Sequence, residues 1–553
     1  MSASKSPVSR ILNLLKLERN EITAVYFYAI LNGLIQLSLP VGVQAIIGYV
    51  LGASMRASLV VLIMLVVLGV LIAGIMQINQ MKIIEKIQQK LFVRYSLAFA
   101  RHLPDLDLKK NDHVYLPELV NRFFDVQVLQ KSLSKILLEI PTAVIQIFFG
   151  LVLLSFYHPA FILFGIILVS ILILILQFTG GRGLQTSLEK SKYKYKVAAW
   201  LEEMARVIKS IKLARNNDLH LRKADQEVSN YLDARNNHFR VLLFQFNVLV
   251  VFKTIITAAM LIVGTLLMVN QQLTVGQFIA AEIVILLVLN SVEKLIINLS
   301  SVYDTLTAVE KLAEITDKPL EKNGSITLPH LEQGIKLELR DLSFGYTDDK
   351  PVLQEISLQI NPNEKICIAG KDSSGKSTLL RILTGSYTDF KGAVLVDDIP
   401  VGNYQLDSLR AQTGVLLGQQ DIFNGTLLEN ITLGNEQIGL EAVRKCAIQS
   451  GLQDFVATLK DGFDTPLDPT GRRLPRSVAQ KILMARALAG QPRLLLLEEP
   501  WMNVKDQQRQ ELINTLLGLS DTTVVVVTND QEYADRCDKV FVLDENGTLA
   551  INN

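Results

Sequence analysis

The chain has 553 residues, a formal charge of +1 and a mean hydropathy of +0.30. The balanced charge carries no electrostatic footprint of a nucleic-acid binder, and so apolar an average excludes an ordinary soluble enzyme. The apolar excess sits in the first 300 residues, in runs that reach the roughly 20 residues needed to cross a bilayer.

Residues 1–20 carry Lys5, Arg10, Lys16 and Arg19 and lack the basic, apolar, small-residue order of a cleaved signal. They read as a basic amphipathic lead-in held in the cytoplasm. Six spans follow, at about 22–51, 59–78, 136–156, 160–178, 241–269 and 278–299. The turns between paired spans are short and nearly uncharged. Two long polar stretches, 82–131 and 182–240, separate the pairs, and the second holds 13 Lys/Arg against 7 Asp/Glu. By the positive-inside rule these stretches and both termini are expected on the cytoplasmic side of the cell membrane. More than 50 residues without turn punctuation argues for helices that continue the spans below the bilayer rather than for loops.

Polar residues interrupt the spans. Asn32, Gln36, Pro40 and Gln44 recur every four residues and so share one face of the first span, and Pro40 leaves the Gln36 carbonyl without its helical donor. Two uses of that face stay open: a substrate pathway, or hydrogen bonds between helices. Lys253, Glu282 and Glu293 are costly within spans and are candidates for an internal ion pair or a water-filled cavity. Residues 21–315 thus read as a transmembrane domain of six helices, and 316–335, rich in charge and turn residues, as a linker.

The domain at 336–553 is organised around KICIAGKDSSGKSTLLRILTG, residues 365–385. An apolar strand runs into Gly370-x-x-x-x-Gly375-Lys376-Ser377 and then into a leucine-rich helix, the context that a phosphate-binding loop demands. The backbone of Gly370, Lys371, Asp372, Ser373, Ser374, Gly375, Lys376, Ser377 and Thr378 would cradle a triphosphate at a helix N-terminus. Lys376 would reach the β- and γ-phosphates, and the Ser377 hydroxyl one position on Mg²⁺. The three cysteines, Cys367, Cys446 and Cys537, lie in this domain at no metal-like spacing and read as reduced thiols.

From its first strands, LELRDLSFGY, the domain resembles the nucleotide-binding domain of ABC transporters, and the resemblance extends over essentially the whole chain. It implies a fold of six transmembrane helices with long cytoplasmic extensions followed by an α/β P-loop ATPase domain of ABC type. It also implies ATP and Mg²⁺ as ligands. Tyr346 matches the family's adenine-stacking aromatic residue, and 426–431 the segment after its metal-contacting glutamine loop. Glu499 keeps the position of the general base that polarises the attacking water.

Several motifs depart from the family pattern. Glu498 stands where the family has a Mg²⁺-organising aspartate, one methylene shorter. The Leu-Ser-Gly-Gly-Gln signature lies at Leu474, Pro475, Arg476, Ser477 and Val478, where proline removes a donor and Arg476 obstructs close backbone approach. Asn529 replaces the switch histidine, and no histidine follows His330. For the metal-contacting glutamine, Gln419 and Gln420 are the nearest candidates, while Gly418 holds the position by strict count.

Two readings therefore compete. In one the chain is half of a dimeric ABC exporter, a homodimer or a heterodimer with a second half-transporter, with impaired turnover at its own sites. In the other it is an ATP-binding regulatory or structural subunit of a catalytically complete partner. The segments 116–122 (LPELVNR) and 208–212 (IKSIK) resemble exporters of peptide and protein secretion, which implies a bacterial inner membrane, contact with lipid and accessory secretion proteins, and no nucleic acid. No cysteine precedes Cys367, so an N-terminal cysteine peptidase is not expected.

Overall fold

The computed structural model describes residues 6–51, 57–112, 114–214, 218–347, 350–418, 421–468 and 474–552. The chain divides into two compact units. The first runs to residue 104 and from 114 to 318; the second holds 105–112 and the residues from 319 onward.

The first unit is helical: α1 (Pro7–Leu17), α2 (Arg19–Gln36), α3 (Ser38–Leu51) and α4 (Ala57–His102). The short α5 (Leu108–Asn111) belongs to the second unit. The first then resumes with α6 (Leu116–Val120), α7 (Asp125–Tyr157), α8 (Ala160–Arg206), α9 (Ile208–Leu213), α10 (Leu219–Val269) and α11 (Val275–Thr316). Among the described residues six segments are long and apolar enough to cross a membrane, with α2 and α3 together forming the first. Helices α8 and α10 have 47 and 51 residues, about 70 Å at 1.5 Å per residue, against a hydrocarbon core of about 30 Å. The expected extensions beyond the bilayer are therefore continuous with the spans. The first span, expected as one helix, is broken at Leu37, three positions before Pro40, where the missing N–H cannot bond the Gln36 carbonyl. The polar stretch after α4 is not one helix either, because α4 stops at His102 ahead of Pro104.

What joins the spans is apolar packing threaded with polar contacts. Ile147, Leu154, Phe161, Leu168, Phe252, Ile256, Val284 and Val288 form one buried cluster of α7, α8, α10 and α11. Gly183 lets the Tyr303 ring approach to where a Cβ would lie 2.3 Å from it. The Gln245 amide then donates to both Tyr303 Oη, at 3.0 Å, and Thr179 Oγ1, at 2.6 Å.

Three residues of the Asn32 face make side-chain hydrogen bonds. Gln36 donates to Asn32 Oδ1 at 3.0 Å and accepts from the Gln146 amide, and Ser291 donates to Gln146 Oε1 at 2.8 Å. One chain of hydrogen bonds thus ties α2, α7 and α11. Gln44 accepts from Tyr157 Oη at 2.7 Å, tying α3 to α7. Gln36 and Gln44 thus bond across helices, whereas Asn32 is bonded within α2 by Gln36.

The second unit is an α/β domain. Its strands are β1 (Leu337–Thr347), β2 (Lys350–Ile360), β3 (Lys365–Gly370), β4 (Lys391–Val396), β5 (Ile399–Pro400), β6 (Thr413–Leu416), β7 (Gly425–Thr426), β8 (Pro466–Leu467), β9 (Leu494–Glu498), β10 (Thr523–Val527), β11 (Lys539–Leu543) and β12 (Leu549–Asn552). A six-stranded sheet has the order β12-β11-β3-β10-β9-β6 and is parallel except at β12. A four-stranded antiparallel sheet has the order β2-β1-β4-β5, and β7 pairs with β8. The runs Leu494–Leu497 and Val524–Val527 are buried throughout, as both faces of a parallel sheet require. Helix α5 packs into this unit: Lys109 Nζ lies 4.7 Å from the Phe344 ring centroid and 3.2 Å from Asp389 Oδ2.

Gln146→Leu breaks the α2–α7–α11 chain in the middle, leaving Gln36 Oε1 without its donor and Ser291 with the Leu287 carbonyl of its own helix. The expected cost is about 1–2 kcal/mol, read as a Tm several degrees lower in lipid nanodiscs, with Ser291→Ala costing less. An unchanged Tm would show that the chain contributes nothing to helix association.

Candidate nucleotide-binding site

Strand β3 ends at Gly370, and the helix α12 (Lys376–Leu383) starts six residues later. The loop between them needs backbone that only small residues reach. Gly370 has φ +150° and a Cβ there would sit 2.3 Å from the Leu543 carbonyl oxygen; Gly375 has φ +99° and its Cβ would meet Leu353 at 2.7 Å. Ser373 also takes the left-handed region, at φ +66°. The loop lines a cavity of about 370 Å³ together with Tyr346, Glu498, Glu499 and Asn529. The cavity lies where β9, β10 and β3 end, the edge of an open parallel sheet at which ligands bind.

Lys376 folds back so that its ammonium donates to the Gly370 and Lys371 carbonyls, both at 2.6 Å. The Ser374 hydroxyl is buried and has no hydrogen-bond partner among the described residues. Ser377 donates to Glu498 Oε1, and the Gly418 N–H donates to Glu498 Oε2 at 2.8 Å. The added methylene of Glu498 thus bridges α12 and the end of β6. A hydroxyl and a carboxylate, both oxygen donors, suit Mg²⁺, which takes its remaining ligands from water and phosphate. The orphaned Ser374 hydroxyl and an ammonium held by carbonyls alone fit a polyanion in the cavity.

Glu499 follows β9 directly. Its N–H donates to the Val527 carbonyl at 2.9 Å, its φ is +42°, and its Oε2 accepts from Thr528 Oγ1 at 3.1 Å. Burial pushes its carboxyl above the usual carboxylate range, outweighing the opposing pull of the Thr528 hydroxyl and the Lys376 ammonium. At the mouth, the Tyr346 ring stands edge-on to Phe344, at 5.3 Å, and to Tyr387, at 5.9 Å, and its hydroxyl shares a 3.0 Å hydrogen bond with Thr378.

Most residues expected at the site from sequence meet there. Tyr346, Asp372, Ser373, Ser374, Gly375, Lys376, Ser377, Thr378, Glu498 and Glu499 all line the cavity, and Gly370 starts the loop. The Lys371 side chain turns outward to Glu545, at 2.5 Å, leaving only its backbone to the loop. Gln419 and Gln420 lie outside the described residues. Three contacts had no clear signal in the sequence. Asn529 Oδ1 accepts from the Gly370 N–H at 3.0 Å, so the residue in the switch position clamps the phosphate loop. The Gln480 amide donates to the Glu499 and Pro500 carbonyls at 3.1 and 3.2 Å, fixing the turn after β9 from the helix Arg476–Leu488. Thr528 orients Glu499, which a motif match does not reveal.

Comparison with known proteins matches both units of the chain. The family model described as "ABC transporter transmembrane region" matches residues 22–292, and that described as "ABC transporter" matches 353–502. The ATP-dependent lipid A-core flippase of Hahella chejuensis is 32% identical over 240 residues, 43% of this chain and 41% of that protein. The lactococcin-A transport/processing ATP-binding protein of Lactococcus lactis is 24% identical over 480 residues, 86% of this chain and 66% of the relative. A multidrug efflux ATP-binding/permease protein of Mycobacterium bovis is 34% identical over 247 residues, 44% of this chain and 20% of that protein. The first relatives are thus matched over less than half their own length. A solved structure of a bacterial Atm1-family ABC exporter with ATP bound shares the fold, with a TM-score of 0.81, 18% identity, and coverage of 96% of this chain and 94% of that one.

The raised Glu499 carboxyl gives a pH-dependent prediction. Folding favours its protonated form, so ionisation costs stability at neutral pH, and that cost vanishes once both folded and unfolded chains are protonated, below about pH 4. Glu499→Gln should therefore raise Tm at pH 7.5, with the gain shrinking as pH falls. A gain that is constant with pH would show that burial of the charge is not its cause.

Proposed function

The chain belongs to the ABC transporters, and on that premise we propose that it is one half of a dimeric exporter that couples ATP to the movement of an amphipathic cargo, such as a peptide or protein, across the membrane. The observation that carries this reading is a complete phosphate loop, with Lys376 held by two carbonyls and the Ser374 hydroxyl without a partner among the described residues, which also hold six candidate spans.

ATP with Mg²⁺ supplies the γ-phosphoryl group and the free energy of its transfer. The residues of the chain divide the remaining work. Lys376 exchanges its two carbonyl partners for phosphate oxygens, and the loop N–H groups with the Ser374 hydroxyl hold the polyanion. Ser377 and Glu498 hold the metal, while Tyr346 offers a ring face to adenine. Glu499 orients the attacking water and accepts its proton, a role suited by a carboxyl whose proton affinity is raised and whose position is fixed by Thr528.

The departures from the family pattern bear on rate. The Asn529 amide has no titratable proton, and its oxygen is already engaged by Gly370, so it supplies no acid or base. Pro475 and Arg476 replace the small residues whose backbone would face a partner's γ-phosphate. Losing one preorganised donor typically costs about 10²-fold to 10³-fold, and an acid–base group about 10²-fold or more. Groups acting as a unit are not additive, so the combined loss need not reach the product. A partner half-transporter with an intact signature would restore one of the two.

The test is ATP-analogue binding and steady-state ATPase of the pure protein in lipid. Lys376→Ala should weaken binding of the triphosphate sharply. The unmixed protein should turn over at least about 10²-fold below the several per second common for enzymes, and faster with a complementary partner. Turnover of several per second that Glu499→Gln abolishes would overturn the account of the impaired site, and tight analogue binding by Lys376→Ala that of the loop.

Orientation follows from charge: the basic stretches lie in the cytoplasm. With Cys367, Cys446 and Cys537 replaced, single cysteines at Asp112 and Leu188 should resist a membrane-impermeant thiol reagent added outside intact cells, and one at Gln272 should react. Labelling at position 112 from outside would invert the topology.

A further inference from the structure

A second cavity, of about 520 Å³, lies in the helical unit along α10, with Lys253, Thr254, Thr257 and Glu293 among apolar walls that include Phe246 and Leu261. Its volume falls in the range of small-molecule sites. Lys253 stands midway along the apolar run 241–269, so the cavity lies at membrane depth. Lys253 Nζ donates to Glu293 Oε2 at 2.7 Å and reaches Asn290 Oδ1 at 3.5 Å. This pair is only half satisfied. The third ammonium proton and the second carboxylate oxygen have no partner among the described residues, and the two side chains are 36% and 32% exposed. The Thr254 and Thr257 hydroxyls donate to carbonyls of their own helix, Val250 and Lys253, and so offer only lone pairs to the cavity.

Charges at this depth do not face hydrocarbon, where both would pay desolvation without full pairing. A wholly structural ion pair would sit inside the bundle, as Gln146 and Gln245 do. Instead a cation and an anion with unused valences open side by side into an apolar-walled cavity. We infer that this cavity binds an amphiphile carrying a cationic and an anionic group close together on an apolar tail: its anion on Lys253, its cation on Glu293 and the threonine oxygens, and its tail along Phe246 and Leu261. The inference rests on the export reading and names the class of cargo, or of lipid, that the helical unit would accept.

The probe is an alkyl phosphocholine with a diazirine in its tail, compared with the alkyl trimethylammonium and alkyl sulfonate of the same tail. Full-length protein in nanodiscs is photolysed, and crosslinks to residues 246–261 are quantified. The zwitterion should label these residues about fivefold more than either singly charged analogue, the scale of one partly exposed charge contact. Lys253→Ala should shift the preference to the cation, and Glu293→Ala to the anion. The double exchange Lys253→Glu with Glu293→Lys keeps a pair and should keep the preference for the zwitterion. Weaker labelling in phosphatidylcholine discs than in phosphatidylglycerol discs identifies bilayer lipid as the occupant, and equal labelling a free amphiphile. Equal labelling by all three head groups, or a preference that none of the variants moves, would overturn the proposal and leave the pair a helix fastening. The Tm of each variant in nanodiscs reports folding of the helical unit. A protein that passes the turnover assay yet shows no head-group preference loses this inference alone.

Discussion

An unpaired polar group away from water is expensive, and that cost constrains both units of this chain. In the helical unit every backbone N–H at membrane depth must be paired within its own helix, which leaves long helices as the only solution for spans joined by such short turns. Side chains follow it in part: Gln36, Gln146 and Ser291 bond one another across three helices, and the Gln245 amide N–H groups reach both Tyr303 and Thr179, while Gln245 Oε1 and Gln80 Oε1 stay buried without a partner among the described residues. In the second unit the loop from Gly370 to Lys376 withholds partners. Left-handed backbone, a buried hydroxyl without a bond and an ammonium resting on carbonyls are tolerable together because a polyanion repays them.

The architecture was legible wherever one physical period dominates. Apolar runs mark spans because bilayer thickness sets their length, and a glycine-framed strand–loop–helix marks a phosphate site because close backbone approach demands it. Partners were less legible. A four-residue recurrence puts Asn32, Gln36 and Gln44 on one face, but the helix they meet depends on packing that no local pattern encodes, so a polar face and a substrate path looked alike. The same holds for Lys253 and Glu293, 40 residues apart in sequence and 2.7 Å apart in space.

At the nucleotide site, motif matching identified positions and missed contacts. It marked Asn529 as a loss, whereas the side chain has a clear place as an acceptor for the Gly370 N–H. It marked Glu498 as an aspartate one methylene too long, and that extra reach spans Ser377 and Gly418 at once. In these two positions the side chains brace the loop: Asn529 holds the Gly370 N–H, and Glu498 joins Ser377 to Gly418.

Glu499, the proposed base, sits at φ +42°, backbone that glycine and asparagine accept readily and glutamate does not. Either replacement would relax the main chain and remove a buried carboxylate in a single step. Natural drift, or a laboratory screen that rewards soluble and heat-resistant protein, therefore has a downhill route at this codon that ends in a better-folded chain unable to activate water. An acidic residue in that strained, buried position is therefore a cost to the fold that only a use for its carboxylate, such as the proposed one, would offset.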